Sequence, residues 1–149
     1  MSARVLPENP PYSGAVAEDF AAIMPPGQEP LALFRTLAKS PRLLRKLRLS
    51  NLLDRGSLSL RQRELVILRT SALCGAEYEW GVHVTHFNPK VGFDADQLYA
   101  IRWLGADAPC WQPEEALLVR LCDELHHTAG VSQPLWTDLC ARFREDQRS

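Results

Sequence analysis

The sequence lacks several signals that would assign it to a class at once. No apolar run approaches the ~20 residues that a membrane-spanning helix needs. The polar, proline-rich start from Met1 to Pro11 has no apolar core of a secretory signal. Lys and Arg number 17 against 18 Asp and Glu, so the net charge of −1 lacks the basic excess of a nucleic-acid binder. We therefore expect a cytoplasmic protein with neither a membrane nor a nucleic-acid partner.

Paired cysteines are also missing. The chain has four cysteines, and no two of them form a C-x-x-C pair. This excludes the usual signatures of a dithiol redox site and of a zinc knuckle. In a reducing compartment such isolated thiols are ordinarily buried and unreactive. The four are Cys74, Cys110, Cys122 and Cys140.

No stretch alternates apolar and polar residues with a period of two, so the sequence predicts no β-sheet. From Leu31 onward the apolar residues recur at helical spacing instead. Ser59 with Gln62 and Asp94 with Gln97 match the capping box that begins many helices. The pattern predicts an all-α, single-domain helical bundle of about seven helices.

Proline and glycine predict where several helices begin and end. Ser40-Pro41 is typical of a helix start, and that helix is expected to end near Arg55-Gly56. Asn88-Pro89 is expected to end a helix that begins near Glu77. Gly130 is expected to end the helix that Pro113 begins, and Ser132 to cap the last helix.

The prolines also suggest how the chain is divided. Residues 1–30 form a proline-rich arm in which only Tyr12 to Met24 favours a short helix. Residues 31–149 form the helical domain. At 149 residues, a compact chain buries roughly 68–70% of its unfolded surface, which is enough for a core without disulfides.

One predicted helix concentrates residues suited to chemistry. Glu79 and His83 are four residues apart and share a face, with His86 three residues further on. A carboxylate one turn before an imidazole can orient it for proton transfer. The same spacing also fits a solvated ion pair on a helix surface. Glu79, His83 and His86 could also meet a zinc or iron ion, but their spacing differs from the usual helical zinc motif, so we predict no metal.

The stretch from Arg61 to His86 resembles the core motif of the carboxymuconolactone decarboxylase and alkylhydroperoxidase D superfamily. In its thiol peroxidases a Glu on one helix is followed twelve residues later by C-x-x-C-x-x-x-H, which opens the next helix. Glu64 and His83 match the Glu and the His in register, whereas Ala76 and Glu79 replace the two cysteines.

The resemblance implies an alkylhydroperoxidase D-like fold and assigns roles to these residues. His83 would be the general acid/base, Glu64 would orient it or relay its proton, and Glu79 would favour the protonated imidazole. Tyr78, Trp80 and His86 would contact the substrate, although aromatic residues at such positions also serve simply as core or interface contacts. No cofactor is implied.

The loss of the cysteine pair favours a lyase-like, decarboxylase-type enzyme that performs proton transfer on a small organic acid or lactone. A thiol-dependent hydroperoxide reductase that uses Cys74 as a displaced redox thiol is one alternative. A non-catalytic binding protein of the same fold is another. Members of the superfamily are homo-oligomers, so the resemblance implies a dimer, trimer or hexamer. It also implies a further apolar helix beyond Ser149, where this chain stops.

Overall fold

The computed structural model describes residues 5–50 and 56–148, without the side chain of Arg148, and its regular structure is entirely helical. The all-α prediction is confirmed. Nine α-helices occur in these residues, against the seven or so expected, because short helices of four to six residues add to the long ones. The described residues divide between Asp54 and Arg55 into two compact units.

The first unit contains three helices around a small apolar core. They are α1 (Gly14–Ile23), α2 (Ala32–Leu37) and α3 (Pro41–Leu49). The buried core residues are Val16, Phe20, Phe34, Ala38 and Leu44. A short ion pair of 2.6 Å between Arg48 and the buried Asp19 joins α3 to α1. Pro41 begins α3 as predicted. The helix ends at Leu49, with Ser50 as its C-cap, so the predicted end near Arg55-Gly56 is wrong.

The second unit contains the remaining helices and the larger core. They are α4 (Leu60–Leu73), α5 (Glu77–Val91), α6 (Ala95–Tyr99), α7 (Pro113–Thr128), α8 (Gln133–Arg142) and α9 (Glu145–Arg148). The most deeply buried apolar residues of its core are Leu65, Leu68, Ile101, Val119, Leu135 and Leu139. Within the described ranges, each helix of either unit is too short or too polar to cross a lipid bilayer.

Reciprocal side-chain and backbone hydrogen bonds begin three helices of this unit. The predicted capping boxes of Ser59 with Gln62 and of Asp94 with Gln97 are both present. A third box, Gln112 with Glu115, begins α7, whose first residue is Pro113 as predicted. These contacts satisfy N–H groups that a helix start leaves unpaired.

The prediction that Asn88-Pro89 ends a helix is wrong, because α5 continues to Val91 with Pro89 inside its last turn. Proline removes one helical hydrogen bond, but Pro89 is exposed, so water can reach the carbonyl that it leaves unpaired. The Asn88 side chain then bonds both the N–H and the C=O of Phe93, and Gly92 ends the helix at φ +70°. Local capping thus outweighs the proline.

The end of α7 also differs from the prediction. The helix ends at Thr128, and Ala129, rather than Gly130, adopts the left-handed conformation at φ 52°. The Thr128 hydroxyl bonds the backbone of Gly130, which fixes the chain just beyond the helix. Ser132 does precede α8, but its hydroxyl donates to Glu124 rather than capping the helix.

A π-helical segment, Ala100–Leu104, follows α6 directly where the sequence predicted ordinary helix. The Gly105 N–H bonds the carbonyl of Ala100, five residues back, and closes the wider turn. Isolated π turns are rare and occur frequently at functional sites. Periodicity of apolar residues does not distinguish them from an α-helix.

Arg69 links three elements of the second unit. Its Nε donates to Asp123 of α7 at 2.7 Å, and its Nη1 donates to the Ile101 carbonyl of the π-helical segment at 2.6 Å. Gly105 passes close by at φ +84°, where an added Cβ would lie 3.1 Å from Arg69 and 3.2 Å from Asp123. This network fixes the π-helical segment against α4 and α7.

Candidate functional site

The site lies on the antiparallel pair of helices α4 and α5. Only Cys74, Gly75 and Ala76 separate the two helices, and Gly75 makes the reversal at φ +64°. Leu65 and Leu68 bury one side of α4 in the core, and Trp80 and Val84 pack against the same core from α5. Side chains between the two helices are therefore held by packing on both sides.

Glu64 of α4 and His83 of α5 meet between the helices. The Oε2 atom of Glu64 lies 2.6 Å from Nδ1 of His83. Glu64 is fully buried, whereas 17% of the His83 side chain is exposed. A buried carboxylate needs hydrogen-bonded partners to offset its lost hydration, so the pair is a specific contact rather than an incidental one.

Arg63 supplies the second partner of this carboxylate. Its Nη2 and Nε donate to Oε1 of Glu64 at 3.1 and 3.3 Å. Both Arg63 and His83 offer N–H groups, and the acceptor-only, ionised form of Glu64 satisfies both contacts. In the tautomer that carries its proton on Nδ1, His83 donates to Glu64 and keeps the Nε2 lone pair for other chemistry.

The second ring nitrogen of His83, Nε2, is not sealed from solvent. No buried side-chain nitrogen or oxygen lacks a hydrogen-bond partner in residues 5–50 and 56–148. Nε2 of His83 has no partner in those residues, so it must be reachable from outside. Phe87 stacks beside the imidazole with ring centroids 5.1 Å apart and fixes the plane of the ring. One nitrogen is anchored and the other is accessible.

Two other residues of the predicted site, Glu79 and His86, lie on the same helix as His83. Glu79 is half-buried, and no hydrogen bond or ion pair joins it to His83 within the described part of the chain. His86 is exposed on the outer side of α5. Among the described residues, no group of three or more side chains is placed to hold a metal ion. Glu79, His83 and His86 therefore do not form such a group.

The two predicted aromatic contacts occupy different environments. Tyr78 is exposed at the start of α5, whereas Trp80 is half-buried and packs against the core. Trp80 also lines a cavity of about 240 Å³ beside the turn between α4 and α5. Arg102 and Trp103 of the π-helical segment line the same cavity. The sequence analysis missed both, because they lie about twenty residues from Trp80 and no local pattern links them.

The candidate redox thiol lies outside the Glu64–His83 pair. Cys74 is exposed just after the last residue of α4, and its Sγ is 4.0 Å from Nδ1 of His126. All four cysteines are free thiols. Burial raises the pKa of the Cys122 thiol from 9.0 to about 11. The pKa of Cys110 is also raised, chiefly by burial and to a lesser extent by nearby carboxylates.

The fold and the site define an all-helical protein in which a buried carboxylate and an imidazole meet between two antiparallel helices. A protein-family model with the description "Carboxymuconolactone decarboxylase family" matches residues 38–120, which is more than half of the chain. The chain therefore belongs to the carboxymuconolactone decarboxylase family, as its resemblance to this superfamily implied. Comparisons with curated proteins and with solved structures find no match.

Proposed function

We propose that this protein is an enzyme that transfers a proton to or from a small organic acid or lactone, with His83 as the acid/base. The observation that supports the proposal is the 2.6 Å contact between Glu64 and Nδ1 of His83, whose side chain is partly exposed. A neutral imidazole held this way accepts a proton at Nε2 and returns it from there. Positioned acid/base groups of this kind contribute typically 10²–10⁴-fold to a rate.

Glu64 acts as a positioning residue in this proposal because it is buried and contacts the imidazole rather than solvent. Its negative charge stabilises the imidazolium that forms when Nε2 takes up a proton. Arg63 holds the second carboxylate oxygen and so fixes the orientation of Glu64. In a decarboxylation, CO₂ leaves with its bonding electrons left on carbon, and the imidazolium delivers the proton that this carbon then needs.

The experiment is turnover of a panel of carboxylated lactones and small organic acids in D₂O, with deuterium in the product measured by mass spectrometry. We expect His83→Ala to lower kcat by about 100-fold or more, with KM changed little. Thr85→Ala, at an exposed position on the same helix, is the matched control and should behave as wild type. Equal rates for wild type and His83→Ala would contradict the proposal.

The role of Glu64 has its own test. Glu64→Gln keeps the size of the side chain and an acceptor for Nδ1 but removes the charge. We expect kcat to fall by about tenfold or more, while KM and the circular dichroism spectrum stay near those of wild type. An unchanged kcat would remove Glu64 from the mechanism. Wild-type protein that neither turns over the panel nor exchanges deuterium would favour the non-catalytic alternative.

A thiol-dependent hydroperoxide reductase is the second candidate, supported by the exposed Cys74 beside His126. The sulfur would attack the peroxide, release an alcohol and become a sulfenic acid, which an added small thiol would reduce. Peroxide consumption that is lost in Cys74→Ser would support this function, and consumption that persists would exclude it.

The partner and localisation predictions carry forward as part of the proposal. We propose a homo-oligomer in the cytoplasm that takes a small-molecule substrate. Light scattering on the purified chain gives its oligomeric state directly, and a monomer at working concentration would contradict this part.

A further inference from the structure

A second site lies at the turn between α4 and α5, beside the π-helical segment. Its cavity of about 240 Å³ is slightly smaller than the ~300–1,000 Å³ of typical ligand pockets. The cavity is therefore suited to a small ligand, such as one ring with one substituent. Its lining includes Ser71, Glu77, Trp80, Arg102 and Trp103.

Arg102 supplies a positive charge at this cavity, and its ion pair there is long and exposed. Its Nη2 atom lies 3.7 Å from Oε1 of Glu77, a carboxylate whose side chain is 85% exposed. So long and exposed an ion pair contributes little, because both groups keep most of their hydration. An incoming carboxylate can therefore replace Glu77 as the partner of Arg102 with two parallel hydrogen bonds.

Two indole rings lie beneath that charge and supply apolar surface around it. The guanidinium carbon of Arg102 lies 4.9 Å from the centre of the Trp103 ring and 5.8 Å from that of Trp80. Trp103 is 64% exposed, which is unusual for so large an apolar side chain. Planar rings pack favourably on such surfaces. The π-helical turn places Arg102 and Trp103 together at the cavity.

We propose that this cavity binds a small planar monocarboxylate, such as an aryl carboxylate. Its carboxylate pairs with Arg102, and its ring packs beside the guanidinium against the uncovered parts of Trp103 and Trp80. The charges favour a single negative charge on the ligand, because Arg102 is the cationic side chain of the lining and Glu77 repels a dianion. Binding here needs no contact with Glu64 or His83.

The cavity has its own charged residue, Arg102, so the inference goes beyond the proposed function. Neither Glu64 nor His83 lines the cavity. Trp80, which does, lies three residues before His83 on α5. Arg102 lies outside α4 and α5, so Arg102→Gln and His83→Ala test binding and proton transfer separately.

The test is binding of benzoate to the purified chain, measured by ligand-observed NMR and by tryptophan fluorescence. We expect Arg102→Gln to weaken benzoate binding by about tenfold. Glu77→Gln should tighten it by about two- to threefold, because it removes the competing carboxylate. Arg120→Gln is the matched control, since Arg120 makes a similarly long and exposed ion pair of 3.6 Å with Asp107. It should bind benzoate as wild type does.

Two further comparisons test the ring and the independence of the site. Cyclohexanecarboxylate, which is not flat, should bind more weakly than benzoate to wild type, and Trp103→Leu should remove that difference. His83→Ala should keep full benzoate affinity, so failure of the proposed function would not affect this result. Unchanged benzoate binding in a folded Arg102→Gln variant, equal binding of both acids, or no binding of benzoate at millimolar concentration would overturn the proposal.

Discussion

His83 is held against Glu64 by a contact of 2.6 Å that joins two helices adjacent in the chain. The contact buries a carboxylate completely while one edge of the imidazole stays accessible. Arg63 contacts the other oxygen of the same carboxylate. Glu64 thus links α4 to α5 through charge as well as packing, which makes this pair important for stability independently of any reaction.

We predict that His83→Ala destabilises the protein by about 2 kcal/mol, because it leaves the buried Glu64 with Arg63 alone. His86→Ala removes an exposed imidazole from the same helix and should change the free energy of unfolding by less than about 0.5 kcal/mol. Urea unfolding monitored by circular dichroism measures both. Equal stabilities of the two variants would show that the contact does not contribute to folding.

The four thiols should differ in their reactivity. Because the pKa of Cys122 is about 11, roughly one thiol in a thousand is ionised there at pH 8. We expect iodoacetamide at pH 8 to modify the exposed Cys74 and Cys140 first, and Cys122 last. Modification of Cys122 should accelerate as the pH rises toward 11, since the thiolate is the nucleophile. Peptide mass spectrometry over time separates the sites, and early labelling of Cys122 in folded protein would contradict the assignment.

Gly105 should tolerate no side chain. Gly105→Ala would place a Cβ 3.1 Å from Arg69 at a φ of +84°, so we expect a loss of about 2 kcal/mol or more. Gly81→Ala is the matched control, because Gly81 lies within α5 with nothing within 4 Å of its added Cβ. It should stabilise the protein by about 0.5–1 kcal/mol through better helix propensity. Thermal unfolding tests the opposite signs of the two changes.

Replacing Ala129 with glycine should raise the stability of the protein. Ala129 holds a left-handed conformation at φ 52° immediately after α7, a position at which glycine relieves steric strain. We expect Ala129→Gly to stabilise the protein by about 0.5–1 kcal/mol. Ala141→Gly, at an exposed position inside α8, should destabilise it by a similar amount. A loss of stability in Ala129→Gly would contradict the helix end described for α7.

Local signals predicted the helix starts well, because a capping box is formed by residues three apart. Ser59 with Gln62 and Asp94 with Gln97 both cap helices as predicted. The helix ends were harder to predict. At Pro89, the outcome depended on the Asn88 side chain and on Gly92, which together complete a turn that proline alone would discourage.

The candidate site was predictable only in part. Family register related Glu64 to His83, and the structure brings these two together. Helical spacing related Glu79 to His83, but His83 turns toward α4, where the buried Glu64 carboxylate binds it. Whether any of these residues takes part in catalysis stays a prediction. Arg102 and Trp80 meet only through tertiary packing, so no spacing along the chain could have related them.

The width of one helical turn also has a genetic consequence. The hydrogen bond from Gly105 to Ala100 spans five residues, one more than an α-helix uses. Each residue of an α-helix turns the chain by about 100°. Deleting a single codon within Ala100–Leu104 would therefore allow ordinary helix and swing Trp103 away from its present direction. An insertion or deletion can thus redirect Arg102 and Trp103 together without replacing either side chain.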